Sequence, residues 1–383
     1  MRNVPILDVA DVLASGPTEF AGTKRYFATA DVNGADLLDG VEVNFTDRPT
    51  RANLVAEHGD VLFAKMQATD KVVHVNGRVA DAIFSTGFFN LRPRQDILES
   101  RFLFWLLRSP QFHLEKDKRC TGATQKALTL SGLRDISIPS LPPLEEQRRL
   151  ATILDKADAV RRKRSLSLKY VDDLIKSEFV FRFGSAATNL KNLPTSPIKS
   201  FGKVVTGNTP PRKDSSNFGQ DVEWIKSDNI NTPSHFLTQA DEWLSATGKR
   251  IGRTAPVGST LVTCIAGSPS VIGNAALADR EVAFNQQINA VVPNRETDPY
   301  FLYCQFLVSK NLVQANSTDS MKGMVSKGKF QEIEFLRPPL DEQRDFGRFF
   351  SRMMSLRLRL EESRKDGEAL FGSLASRALH GEL

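Results

Sequence analysis

Leu141-Pro142-Pro143-Leu144-Glu145-Glu146-Gln147-Arg148 stands near the middle of the chain, and Arg337-Pro338-Pro339-Leu340-Asp341-Glu342-Gln343-Arg344 stands near its end. Proline suits a first helical position because no N–H is needed there, and carboxylates in the first turn complement the helix dipole. Each stretch therefore predicts the start of a helix. A repeat spaced by about half the chain means two copies of one large module, not a small-unit solenoid.

Helical patterning continues behind both starts. Behind the first, apolar residues fall at Leu150, Leu154, Ala157, Leu168, Val171 and Ile175, with Arg161 and Arg164 in the same stripe and Gly184 as a stop. Behind the second run Phe346, Phe349, Met353, Leu356, Leu360, Gly367, Leu370 and Leu374. Two matched stripes predict a two-stranded coiled coil; the other reading is that each stripe packs on its own domain. Helices of about 40 residues span roughly 60 Å. The first helix leaves domain 1 and ends at domain 2, so an antiparallel return is the short connection. The expected object is a dumbbell with pseudo-two-fold symmetry.

Upstream of each helix lies a mixed α/β segment. Asp60 to Ala64 and Gly87 to Leu91 read as buried strands, and Arg101 to Phe112 as one short amphipathic helix. The second half echoes these in order. Gly258 to Val262 resembles Gly59 to Phe63, Phe284 to Pro293 lies over Phe84 to Pro93, and Tyr300 to Tyr303 answers Arg101 to Phe104. The fold class is α/β (α+β). Domain 1 covers 1–141, the first helical spacer 142–184, domain 2 covers 185–337 with a linker to about 200, and the second spacer 338–383.

The chain has 383 residues, enough for two ordinary domains, with 40% hydrophobic content and a formal charge of +6. A pI near 9.2 is compatible with nucleic acid as a partner without requiring it. Cys120, Cys264 and Cys304 are far apart and read as free thiols of a reducing compartment. The start, Met1-Arg2-Asn3-Val4-Pro5, carries no apolar signal region, and no stretch has the apolar length of a membrane span. The expectation is a cytoplasmic protein.

Catalytic motifs are broken or missing. Gly323 to Phe330 matches phosphate-loop spacing up to Lys329, but Phe330 stands where a Ser or Thr hydroxyl holds magnesium. Asp221 to Lys226 faintly suggests a nuclease, with the Glu–Lys spacing one residue too long. The five histidines make no ligand spacing, so no metal, cofactor or catalytic residue is assigned. Binding signals are better. Thr209-Pro210-Pro211-Arg212-Lys213 and Trp224-Ile225-Lys226-Ser227-Asp228-Asn229 are polar, basic and loop-like. Thr121-Gly122-Ala123-Thr124-Gln125-Lys126 resembles them in domain 1, and Met321 to Val325 aligns roughly with it. Gln and Asn can read adenine edges, Arg and Lys guanine, and both cations hold phosphates. Lys24, Arg25, Tyr26, Lys65, Gln125, Lys126, Thr209, Arg212, Lys213, Lys226, Asn229, Lys322, Lys327 and Lys329 are the candidate DNA contacts. Leu144, Glu146, Gln147 and Arg148, with Leu340, Glu342, Gln343 and Arg344, are the candidate partner-docking residues.

Two Pro-Pro-Leu-(Glu/Asp)-Glu-Gln-Arg starts, each after an α/β domain and before a long helix, resemble the DNA-specificity (S) subunit of type I restriction–modification systems across the whole chain. Gly207-Asn208-Thr209-Pro210-Pro211-Arg212 and Val222 to Lys226 resemble the opening of a target-recognition domain, and Thr121 to Pro143 the end of one. Domain 1 departs from this form, with Ser15-Gly16-Pro17-Thr18-Glu19-Phe20 at its opening. The resemblance implies two target-recognition domains, each reading one half of a split DNA sequence. It implies helices that recruit two methyltransferase subunits, with restriction subunits able to join, and a chain without catalysis of its own. The alternatives are a nucleotide-dependent enzyme or nuclease, and a coiled-coil interaction protein with no DNA role.

Overall fold

The computed structural model describes residues 3–318, 323–379 and 382–383. Two compact units emerge: Met1–Ser165 with Glu362–Leu383, and Leu166–Glu361. Each unit holds one α/β domain and a part of each long helix.

Domain 1 contains two four-stranded sheets. One has the order Val41–Val43, Lys24–Phe27, Ile83–Ser85, Ala52–Val55; the other has the order Ala10–Leu13, Phe88–Pro93, Val61–Ala64, Val72–His74. Domain 2 repeats both orders. Its first sheet runs Trp243–Leu244, Phe218–Ile225, Val282–Phe284, Thr254–Ala255, and its second Gly202–Thr206, Ile288–Pro293, Thr260–Thr263, Ala275–Leu277. In each first sheet the middle pair is parallel, Ile83 beside Tyr26 and Ala283 beside Trp224. The echoes between the two halves are therefore copies of one fold.

The apolar runs follow from layering. Side chains alternate along a strand, and the second sheet is covered on both faces. Leu62 packs with Leu54 and Phe84 between the sheets, whereas Val61 and Phe63 pack with Phe102, Leu103 and Leu154 on the helical side. Leu261 and Val262 divide in the same way in domain 2. The segment expected as one helix from Arg101 to Phe112 is two helices, Ser100–Leu107 and Pro110–Lys118. Pro110 lacks the N–H that would continue the first, and the Ser109 hydroxyl caps the second by accepting from the Phe112 N–H at 3.1 Å. The linker is also shorter than expected. Thr195–Pro197 is a strand paired antiparallel with Glu334–Leu336, as Asn3–Pro5 is with Ser137–Pro139.

The long helices run Leu144–Phe183 and Leu340–Leu379, 40 residues each. Gly184, at φ +80°, ends the first. Within the first unit Arg161 meets Glu368 at 3.3 Å, and Arg164 donates to the Ser363 carbonyl at 2.8 Å. Within the second, Asp172 meets Arg357 at 3.0 Å and Arg182 meets Asp345 at 2.6 Å. Rising numbers on one helix meet falling numbers on the other, so the pairing in each unit is antiparallel. Arg164 fits because Gly367 faces it: a Cβ there would stand 2.6 Å from the guanidinium. The seam buries Leu150, Leu154, Val171, Ile175, Phe179 and Phe183. On the second helix Phe346, Phe350 and Met354 are buried, while Leu370 is exposed, contrary to the stripe expected from spacing. No helix among the described residues is long and apolar enough to cross a membrane.

Candidate nucleic-acid interface and helix starts

In domain 2 the site grows from a close backbone approach. A Cβ on Gly207 would stand 2.2 Å from the Asn285 carbonyl oxygen, so only glycine lets this loop lie against the Phe284–Asn285 turn. The following residues then reach across the sheet end. Trp224, buried on its strand, donates its indole N–H to the Asn208 carbonyl at 3.3 Å. The Arg212 guanidinium lies 5.0 Å and the Lys226 ammonium 5.4 Å from the Trp224 ring. Both cations meet one carboxylate, Glu242, with Arg212 at 3.0 Å. Lys226 beside it holds the Glu242 carboxyl below the ordinary glutamate range, with burial opposing. Thr209 donates to Gln286 at 2.5 Å. Thus Thr209, Arg212 and Lys226 converge on one loop cluster. Asn229 is adjacent but committed, accepting from the Lys226 N–H at 3.0 Å and donating to the Gln239 carbonyl at 2.9 Å. Lys213 is exposed and makes no side-chain bond among the described residues.

Domain 1 brings Lys65, Gln125 and Lys126 together. Lys65 donates to the Thr86 carbonyl at 2.8 Å and lies 4.4 Å from the Phe89 ring, and burial lowers its pKa. The Lys126 carbonyl accepts from Gln67 at 3.0 Å, and the Lys65 carbonyl from Leu128 at 2.8 Å. Gln125 and Lys126 are exposed. The expected Lys24–Arg25–Tyr26 cluster does not form a surface of this kind. Tyr26 is 6% exposed, packed with Ala52 and Ile83 in the sheet, and has no surface to offer DNA. Arg25 points from the same strand into a cleft of about 630 Å³ shared with His74, Arg101 and Asp155, and pairs with Glu42. Lys24 lies 3.9 Å from Asp81.

Lys322 lies outside the described residues. Lys327 and Lys329 are exposed on the short helix Lys327–Gln331, where Lys329 lines a cleft with Ala186, Leu312 and Glu332, apart from the Thr209–Arg212–Lys226 group. The apparent phosphate loop is structural: Phe330 is fully buried and stacked on Phe306, which in turn meets Phe335. Glu223 of the faint nuclease motif is buried against Arg280 at 2.6 Å and the Ala240 N–H at 2.7 Å.

At the helix starts, Gln147 and Gln343 are buried, not available to a partner. Gln147 donates to the Ile97 and Pro142 carbonyls at 2.9 and 2.8 Å and accepts from the Glu99 N–H at 2.8 Å. Gln343 donates to the Pro338 carbonyl at 2.9 Å and accepts from the Asp298 N–H at 3.2 Å. Glu99 and Asp298 are themselves the caps of helices Ser100–Leu107 and Pro299–Val308. The repeated glutamine is therefore an internal lock between each long helix and its own domain. Arg148, Glu342 and Arg344 are exposed, and Leu144 and Leu340 are half-buried. Leu144 and Arg148 line a cleft of about 460 Å³ with Glu57, His58 and Arg92. Glu146 is held by Arg149 at 2.6 Å.

Sequence reasoning missed Glu242, Gln286 and Gln67. Glu242 has no motif, and its place beside Trp224 depends on the pairing of Phe218–Ile225 with Trp243–Leu244. The dipeptide Asp241-Glu242 ahead of Trp243 is the only local signal.

Two copies of a two-sheet module, each locked to the start of a long helix and each with its own loop chemistry, define a duplicated adaptor with two different faces. The chain belongs to the type I restriction modification DNA specificity domain family, whose model matches residues 5–169 and again residues 191–367. Membership makes it a DNA-target specificity subunit, the non-catalytic component of such a system. It is 21% identical to the type I restriction enzyme HindI specificity subunit of Haemophilus influenzae, over 82% of this chain and 84% of that one. It is 21% identical to a putative MjaX specificity subunit of Methanocaldococcus jannaschii, over 82% of this chain and 75% of that one. In fold it is similar to a solved chain from work on complex assembly and conformational transition of the type I R-M system, with TM-score 0.60, 20% identity, and 100% and 98% of the two chains covered. A type I S subunit from M. genitalium gives TM-score 0.56 at 14% identity, covering 98% and 95%.

Proposed function

We propose that each domain reads one half of a split DNA target and that the helix starts recruit two copies of a methyltransferase subunit. The observation that carries this is the internal copy: the same sheet orders and the same glutamine lock occur twice, while the loop chemistry differs. Two equal scaffolds with unequal loops suit two different half-sites. Arg148 and Arg344, with Leu144, Leu340, Glu146 and Glu342, form the docking surfaces. Lys126, Arg212, Lys213, Lys226, Lys327 and Lys329 hold phosphates, and Thr209 and Gln125 lie where bases are read. The helix pair acts as a ruler, and half-sites facing one side of the duplex lie about one turn, ~34 Å, apart.

Single-base methylation mapping in cells expressing the chain with its methyltransferase tests this. The expected pattern is two short half-sites separated by unread bases. A single contiguous target, or methylation that does not depend on this chain, overturns the reading. Native mass spectrometry of the complex should show two methyltransferases per chain, and an active complex with only one rejects the docking proposal.

A further inference from the structure

The geometry points to Glu242 as a specificity-determining residue of domain 2, accepting a hydrogen bond from the exocyclic amino group of a cytosine or adenine. The inference deepens the DNA-reading function proposed above and rests on it. Glu242 sits in the loop cluster of domain 2, its side chain 32% exposed, between Arg212 at 3.0 Å and Lys226. An acceptor-only group there is repelled by phosphates. The DNA groups that suit it are the base amino groups of the major groove, cytosine N4 and adenine N6. Its two cations neutralise it while no DNA is bound. When phosphates take up Arg212, an oxygen of Glu242 is released in the same place. Trp224 beneath both cations is buried, so the group has a rigid floor.

The internal repeat supplies the comparison. Trp224 bonds the backbone of Glu242 across the strand pair, and its counterpart Tyr26 pairs with Val41. Lys226 precedes the turn Ser227–Asn229 and its N–H donates to the Asn229 side chain at 3.0 Å; the matching residue before Thr29–Asp31 is Ala28, whose N–H donates to Asp31 at 2.8 Å. The backbone scaffold is kept in both copies. The Lys–Glu pair is not: domain 1 has Ala28 and Val41, with Val41 54% exposed. Partly exposed side chains that differ on matched backbone are what two readers of different bases require.

The test uses the complete complex of this chain with its methyltransferase, and duplexes carrying each base in turn along the half-site read by domain 2. Glu242→Val, which installs the domain 1 residue, should reduce discrimination at one position by roughly five- to a hundredfold and leave the other positions unchanged. Glu242→Gln, which keeps the shape, should raise adenine relative to cytosine at that same position, because an amide can bond both N6 and N7 of adenine. Arg212→Ala should weaken all duplexes alike. If both Glu242 variants keep the wild-type base profile, or only lower affinity uniformly as Arg212→Ala does, Glu242 is a mere anchor for Arg212 and the inference is overturned. A wild-type complex with no base preference would instead overturn the function proposed above, and this inference with it.

Discussion

Gln147 shows how a motif can be conspicuous for structural reasons. Its amide serves three backbone groups in a place closed to water. Truncation to alanine leaves the Glu99 N–H and two carbonyls without partners, at about 1–3 kcal/mol for a buried group left unpaired. Gln147→Ala should therefore lower the urea midpoint of the chain. Arg148→Ala, one residue on and exposed, should leave that midpoint unchanged and weaken capture of the methyltransferase; equal stability loss in both variants would contradict the lock. Glu223 gives a pH-dependent counterpart. Arg280, bonded to both its oxygens at 2.6 and 2.7 Å, holds its carboxyl below the ordinary glutamate value, with burial opposing. A lowered folded pKa contributes stability that is fully present above the unfolded value, near ~4.3, and is lost as pH falls through the folded value. The stability gap between wild type and Glu223→Gln should thus be constant near neutrality and shrink below about pH 4. A gap that does not change with pH would mean the carboxylate charge is not what Arg280 holds.

At the scale of elements, the long helices are fastened to their domains by aromatic clusters. Phe179 is fully buried, with ring centroids 5.2 Å from Phe183, 5.4 Å from Phe301 and 5.2 Å from Phe346. It joins both helices to the Pro299–Val308 helix of domain 2. Phe179→Ala should cost about 3–5 kcal/mol. By contrast Phe181, 76% exposed on the same helix, should tolerate alanine with no measurable shift in thermal midpoint. Comparable losses in the two variants would show that the register of the helix is wrong. Within the first unit the seam is ionic where Arg161 bridges Asp158 at 2.7 Å and Glu368 at 3.3 Å. Spacing had placed Arg161, Arg164 and Gly367 within the stripes, and there Arg164 lies against Gly367 while Arg161 meets Glu368.

For the whole molecule, the ruler proposal makes a quantitative demand. One heptad added to each helix at matched places keeps the seam in register and lengthens each helix by about 10 Å. That equals ~3 base pairs at ~3.4 Å each. Methylome sequencing should find the same two half-sites with a gap longer by that amount. An active complex with its original gap would remove the ruler, and altered half-site bases would mean that the helices read DNA. A heptad in one helix alone breaks the match between the antiparallel partners and should destabilise the pair.

The chain announces its duplication, its two helix starts and its central strands through local signals: proline and acid placement, apolar periodicity, and glycine where the backbone turns. These depend on neighbours in sequence, so they are legible there. What tertiary structure decided depends on pairing between distant segments. It turned Gln147 and Gln343 inward, because the caps they serve lie about 50 residues upstream, a separation no local pattern records. It buried Tyr26, because Lys24–Phe27 is an inner strand with neighbours on both sides. It made Thr195–Pro197 a strand by pairing it with Glu334–Leu336, more than a hundred residues away in sequence. And it set Glu242 between Arg212 and Lys226, since burial and charge pairing are properties of the folded sheet, not of the residues taken in order.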